Sequence, residues 1–246
     1  MEFDAVDSLK KELDSYRPLP LAALRNLEEV YQVEWTYNSN AIEGNTLSLL
    51  ETKLVLEEGL TIGGKKLIEH FEVINHSEAI YYVKDLVDRR IELSEHIIKS
   101  LHQLVLKNID DENAGQYRKT NVGISGYKHI PPHFRQVSEQ MEQLMVWFLK
   151  EKDELHPVEL AARFHFQYVY IHPFTDRNGR TARLLMNLIL MRSGFPPAIV
   201  KAESTSRIAY YETLEKASTL NNIDGFILFI SNNVRESLER YIQSVK

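Results

Sequence analysis

Cysteine is absent from the sequence, which excludes disulfide cross-links and thiolate metal sites and fits a protein of the reducing cytoplasm. A surplus of positive charge is missing too. Against 35 Asp and Glu stand 29 Lys and Arg, a net charge of −6, the wrong sign for the basic footprint of a general nucleic-acid binder. Apolar runs are short: the longest good candidate, Leu184 to Met191, falls far below the ~20 residues a membrane span needs. The acidic start Met-Glu-Phe-Asp lacks the basic-then-apolar pattern of a signal peptide. Neither a membrane nor a nucleic acid is therefore expected as a partner. Only ten Gly and eight Pro occur among 246 residues, with no repeat, low-complexity tract or Ser/Gly-rich linker, so one compact body is the expectation.

Helical spacing dominates what is present. Val137, Met141, Leu144, Met145 and Phe148 mark one apolar face, and Leu160, Phe164, Tyr168 and Ile171 mark another. Ile97, Leu101, Leu104 and Val105 follow a Ser94 cap, and Ser48 with Glu51 suits a capping box ahead of Leu54 and Val55. A helix through Tyr31 to Glu43 is expected to end at Gly44, and a long one to follow the Gly63-Gly64 turn as far as Arg90. Gly194-Phe195-Pro196-Pro197 closes a core helix. Arg207 to Ser218 reads as a helix with Tyr210, Leu214 and Ala217 on one side, and Gly225 to Ser244 as an amphipathic last one. His70 and His76, six apart, share no helical face and are expected to be ordinary surface or satisfied residues. Between Tyr117 and Pro132 the pattern changes: Val122, Ile124, the Ser125-Gly126 turn and Pro131-Pro132 suggest a short hairpin, although spacing alone fits a loop equally well. An exposed strand edge there could hold an extended segment of another protein.

Chemistry is densest from His172 to Arg183, His-Pro-Phe-Thr-Asp-Arg-Asn-Gly-Arg-Thr-Ala-Arg. Pro173 disfavours helical geometry at His172 and ends the preceding helix, leaving the imidazole at its rim. Asn178 and Gly179 suit a turn that opens a new helix, whose first N–H groups can receive an anion. Arg180 and Arg183, three apart, share a face and could grip oxyanions. Asp176, a lone carboxylate among phosphate-seeking groups, is best explained as the ligand of a magnesium ion that also touches the phosphates. His172, with an ordinary pKa near neutrality, is the natural general base. Any three of these residues would more simply be structural. All of them within one short loop point to phosphoryl or nucleotidyl transfer.

The loop resembles the signature of the Fic-domain family, His-Pro-Phe-x-(Asp/Glu)-Gly-Asn-(Gly/Lys)-Arg-x-x-Arg, at every fixed position but one: Arg177 stands where the family usually has Gly. Ser39-x-x-x-Glu43-Gly44 is similar to the family's inhibitory motif, and Gly115-Gln116-Tyr117-Arg118 followed by His129-Ile130-Pro131-Pro132 to its flap. The resemblance implies an all-α, Fic-type helical bundle with a short β-hairpin flap. It implies an N-terminal helical region over 1–90, with an inhibitory helix at about 27–44, and a core over 91–246 carrying the flap at about 117–133. The activity it implies is protein adenylyltransfer: AMP moves from ATP, with magnesium, to a Ser, Thr or Tyr hydroxyl of a target protein. His172 would be the general base and Asp176 the metal ligand. Arg177, Asn178, Gly179, Arg180 and Arg183 would line the phosphates, Tyr210 would meet the adenine, and Ser218 falls where relatives often carry a nucleotide-contacting Asn. Ser39, Glu43 and Gly44 would form the inhibitory motif, with Glu43 pairing with Arg183 to keep the γ-phosphate from its seat. Gly126, Tyr127, Lys128 and His129 would align the target.

Spacing alone reads Glu43 as a solvated residue at a helix end, where the dipole disfavours a carboxylate and calls for a cationic partner. Other readings of the same scaffold are removal of AMP, with Glu43 activating water, and transfer of phosphate or phosphocholine. Arg177 opens a further one, a nucleotide-binding regulatory module without catalysis. If its position needs a positive φ, an Arg there costs on the order of 1 kcal/mol and its Cβ could crowd a phosphate. Its guanidinium could equally add a phosphate contact or point to solvent. Self-modification and homo-oligomerisation are left open.

Overall fold

The structure, a computed structural model, describes residues 3–124 and 128–246, and of residues 21–25 the backbone alone. The described residues form α1 (Asp4–Ser15), α2 (Leu21–Ile42), α3 (Leu49–Glu58), α4 (Leu67–Asp88), α5 (Glu95–Leu106), α6 (Val137–Glu151), α7 (Pro157–Ile171), α8 (Asn178–Arg192), α9 (Ser204–Leu220) and α10 (Asp224–Val245). Local chemistry sets many of the ends. Ser48 accepts the Glu51 N–H while the Glu51 carboxylate accepts the Ser48 N–H, the expected capping box of α3. Ser94 likewise caps α5 through the Ile97 N–H. Glu43 follows the last residue of α2, and Gly44 then takes φ +95°, a turn that favours glycine.

Helix α8 is the axis of the molecule. From Asn178 to Leu190 every residue except Gly179 is buried, as expected of a helix whose surroundings are all protein. Helices α2, α4, α5 and α7 pack on it, and α10 joins α1, α2, α7 and α9 to that centre. One buried apolar cluster runs from Phe3 to Ile242 and takes in the expected faces of α6 and α7. Each fully buried Leu or Phe in it contributes about 1.5–3 kcal/mol. The turn between α4 and α5, with Arg90 at φ +53°, has this cluster on both sides. Among the described residues no helix is long and apolar enough to cross a membrane.

Two expectations change. Among the described residues of 117–133 there is no strand, and Ser125, Gly126 and Tyr127 lie outside the described residues. A lone hairpin is marginal by itself, and here side-chain bonds to the backbone hold the base of the segment instead. His70 is satisfied, since it accepts the Ile62 N–H at 2.8 Å and its Nδ1 lies 3.0 Å from the Lys66 carbonyl. His76 is not: it is fully buried in α4, and neither ring nitrogen has a hydrogen-bond partner among the described residues.

Candidate active site

Two residues in the left-handed region bracket the loop from α7 to α8. His172 closes α7 at φ +51° and Arg177 precedes α8 at φ +61°. Asn178, the first residue of α8, clasps Phe174 of the loop, accepting its N–H at 3.0 Å and donating to its carbonyl at 2.9 Å. Asn178 is thus a loop fastener by its side chain, while the first N–H groups of α8 remain the anion-facing part.

The loop rests on two supports. His102, buried in α5, stacks on Phe174 with ring centres 3.6 Å apart. Its Nε2–H donates to the Asp176 carbonyl at 3.0 Å and its Nδ1 accepts the Gly115 N–H at 3.0 Å. That pattern needs the neutral ring, and burial pushes its pKa down to about 4. Gly115 is required for the approach, because a Cβ there would lie 2.9 Å from the Lys99 carbonyl oxygen. Arg118, also buried, donates to the carbonyls of His172 (2.8 Å), Thr120 (3.0 Å) and Pro132, and its backbone N–H donates to Pro173. One guanidinium therefore ties both roots of the flap to the loop between α7 and α8.

Around His172 burial favours the neutral imidazole. Burial pushes its imidazole down to about 4; the Val169 carbonyl works against this, and the Arg118 charge adds to it. Glu43 reaches in from the end of α2 and accepts from Arg183 Nη2 at 2.8 Å. Burial works to raise the Glu43 carboxyl, but Arg183 and Arg180 outweigh it and hold the group below the usual carboxylate range. A Cβ on Gly179 would meet Glu43 Oε1 at 2.5 Å, so the carboxylate lies directly on the first turn of α8, where an anion belongs.

Arg183 is held on every side. Its Nε donates to Ser39 Oγ at 3.1 Å, Nη2 to the Ser39 carbonyl at 2.8 Å and Nη1 to the Tyr210 hydroxyl at 3.3 Å. The same hydroxyl lies 3.0 Å from Nε2 of buried His165. Arg180 donates to Asn40 at 2.9 Å and pairs with Glu72 at 3.2 Å. Arg177 neither points to solvent nor stands free: Nη2 lies 2.7 Å from Glu72 and Nη1 3.0 Å from Asp176.

A cavity of about 240 Å³ opens between His172, Glu43 and Gly179 at one end and Tyr210, Tyr211 and Leu214 of α9 at the other. Tyr210 is itself buried, its ring packed near Phe226 and Phe229. The Ser218 hydroxyl borders the cavity and donates within its own helix to the Glu215 carbonyl at 2.9 Å. Lys128 pairs with Glu215 at 3.6 Å, and His129 donates to the Tyr170 carbonyl at 2.8 Å, so the described part of the flap lies along the rim; Gly126 and Tyr127 fall outside the described residues. No cluster of three or more potential metal ligands occurs among the described residues. Asp176, its side chain 60% exposed beside the start of α8, fits the single-carboxylate pattern of a magnesium ion shared with phosphates. Sequence reasoning missed Glu72, His102 and His165 as parts of this site and gave Arg118 no role. His102 and His165 carried one signal, an imidazole placed on the apolar face of a helix.

A Fic/DOC family model matches residues 92–190. The solved Fic-domain signaling protein of Bacteroides thetaiotaomicron superposes with a TM-score of 0.89 at 31% identity, over 98% of this chain and 97% of that one. The chain belongs to the Fic family. Fic-1 of Caenorhabditis elegans superposes at 0.87 with 37% identity, over 97% of this chain and 71% of that one. Protein adenylyltransferase Fic of Nematostella vectensis is 38% identical over 249 residues, 99% of this chain and 57% of the relative. The chain thus spans about half the length of the curated relatives it matches. As a Fic protein it keeps the signature loop between α7 and α8, with Arg177 as its one departure.

Proposed function

We propose that the chain is a protein adenylyltransferase held at rest by Glu43. The observation that carries the reading is the Glu43 carboxylate seated on the first turn of α8 and bonded to Arg183, in front of a buried, neutral His172. The adenylyltransferase names of the Nematostella and Caenorhabditis relatives support the reaction class. ATP is the donor, its adenine toward Tyr210 and Tyr211 and its phosphates toward α8.

In the reaction, neutral His172 accepts the proton of a Ser, Thr or Tyr hydroxyl presented along the flap by Lys128 and His129. That oxygen forms its bond to the α-phosphorus as the bond to the bridging oxygen of pyrophosphate breaks, leaving AMP on the target. The N–H groups of Asn178 and Gly179 stabilise charge on the phosphates. Arg180 adds its positive field from behind, and Arg183 orients the γ-phosphate once Glu43 has left. Magnesium at Asp176 would neutralise phosphate charge. Arg177 stands back on Glu72 and Asp176, which supports an active loop over one obstructed by its side chain.

Intact-mass spectrometry after incubation with magnesium and ATP tests the reading, with self-modification as the readout. An added AMP mass on Glu43→Gly, little on the wild type and none on Glu43→Gly/His172→Ala is the expected result. An added phosphate would replace adenylyl transfer by a kinase-like reaction. Calorimetric ATP binding without any mass change would favour the regulatory module. Removal of AMP from a pre-modified target, lost on Glu43→Gly, would favour the reverse reaction.

A further inference from the structure

We infer that Arg177 occupies the charge position at Asp176 that a divalent cation would take, so that metal binding in this chain is a displacement, with Glu72 as the anchor that keeps Arg177 in place. The inference rests on the reading of Asp176 as the magnesium ligand.

Backbone geometry makes Arg177 an expense that its contacts must offset. At φ +61° and ψ +14° a side chain is strained relative to Gly, which adopts this conformation without a Cβ clash. The side chain is nonetheless drawn in, 13% exposed, rather than released to solvent. Its two ion pairs account for that. Nη2 meets Glu72 Oε1 at 2.7 Å, and Nη1 meets Asp176 Oδ2 at 3.0 Å. Its Nε is buried without a hydrogen-bond partner, so this seat satisfies the guanidinium only in part.

Charge explains the Asp176 pairing as well, although that carboxylate stays 60% exposed. Glu72 Oε1 faces two guanidinium groups, Arg177 at 2.7 Å and Arg180 at 3.2 Å, and its Oε2 accepts from Asn45 at 2.8 Å. Glu43 answers part of the Arg180 charge but is itself bonded to Arg183, so two carboxylates face three guanidinium groups. The surplus positive charge meets the next carboxylate along the chain, Asp176, whose Oδ1 already accepts the Arg177 N–H at 2.7 Å. An arriving divalent ion therefore finds Asp176 paired, and it must either separate Nη1 from Oδ2 or bind beside a fixed positive charge. Glycine in this position would present the same carboxylate unpaired. Arg177 is thus a specificity-determining residue for metal rather than for nucleotide.

The test measures coupling between magnesium and nucleotide, with no turnover. Affinity for adenosine α,β-methylene triphosphate, which cannot release pyrophosphate, is read calorimetrically with magnesium and with chelator. Every protein carries Glu43→Gly, so that Arg183 is open. The ratio of the two affinities is expected to rise about fivefold in Arg177→Gly, the factor that one partly exposed ion pair supplies. Arg177→Asn, which tolerates the left-handed backbone without the charge, should do the same, and the gain should vanish when Asp176→Asn is added. An unchanged or lower ratio in both Arg177 variants overturns the inference while leaving adenylyl transfer untouched. A fall in chelator affinity alone would make Arg177 a phosphate contact, which also overturns it. If Asp176→Asn alone leaves the ratio as it was, the magnesium reading of Asp176 fails and the inference fails with it, a result the mass measurement does not share.

Discussion

Arg118 shows how much of this site depends on a side chain that touches no reacting atom. Its fork meets the carbonyls of His172, Thr120 and Pro132, and its charge adds to the depression of the His172 pKa. Replacing it by Met leaves buried carbonyls without a donor, a loss of about 1–3 kcal/mol in unfolding free energy. It also removes a positive neighbour, so the His172 pKa should rise from about 4. A base is lost as pH falls through its pKa, so the acidic limb of the Glu43→Gly transfer rate should move to higher pH in Arg118→Met. Arg118→Lys keeps the charge and loses the fork, and should lower stability while leaving the limb where it was. A limb that stays fixed in the Met variant would remove Arg118 from the electrostatics of His172. Reasoning from the sequence could reach His172 because a whole constellation lies in one short loop. It could not reach the roles of Arg118 or His102, whose acceptors are main-chain carbonyls 54 and 74 residues away, a contact that leaves no trace in the acceptor's side chain. Glu72 pairs with Arg180 across 108 residues, and no local spacing could suggest it.

At the scale of one element, α2 delivers Ser39, Asn40 and Glu43 from a little more than one helical turn onto two arginines of α8. Their contributions differ in kind. The Glu43 and Ser39 Oγ bonds both have the charged Arg183 guanidinium as donor, a class worth about 1.5–3 kcal/mol, but only the Glu43 carboxylate lies on the first turn of α8, and the Ser39 carbonyl keeps its bond to Arg183 when the hydroxyl is lost. Ser39→Ala should therefore raise basal self-modification only a few-fold, and Glu43→Gly on the order of tenfold to a hundredfold. Equal gains in a timed incubation with ATP would mean that α2 acts by its packing rather than through the Glu43 carboxylate. The helices themselves were legible because apolar periodicity is local: the faces of α6 and α7 lie in the core as expected. The start of α2 was less so, because Pro20 precedes it without a capping side-chain bond. The expected hairpin rested on two branched residues and a turn, too little to distinguish a strand from a loop tied down by Arg118.

Across the whole molecule, buried imidazoles link the stability of the fold to the integrity of the site. His102 is pushed down to about 4 and His165 to about 3, both mainly by burial. In the unfolded chain each takes up a proton near 6.5. Between those values the unfolded state binds more protons, so the contribution is fully present above about pH 6.5 and is lost progressively as pH falls toward 4. Each histidine adds a slope of about 1.4 kcal/mol per pH unit across that window, and buried His172 and His76, also pushed down mainly by burial, add to it in the same direction. Urea unfolding at pH 7, 6 and 5 should show that fall, and His102→Gln should remove one histidine's share of it. An unaltered slope would mean that His102 titrates alike in both states. The two histidines differ in what acid does before global unfolding. Protonated His102 can no longer accept the Gly115 N–H at Nδ1, while the bond from Nε2–H to the Asp176 carbonyl survives. The flap root should therefore loosen first and the Asp176 end of the loop later, with hydrogen exchange at the Gly115 amide rising at a pH where amides of the α8 core remain protected.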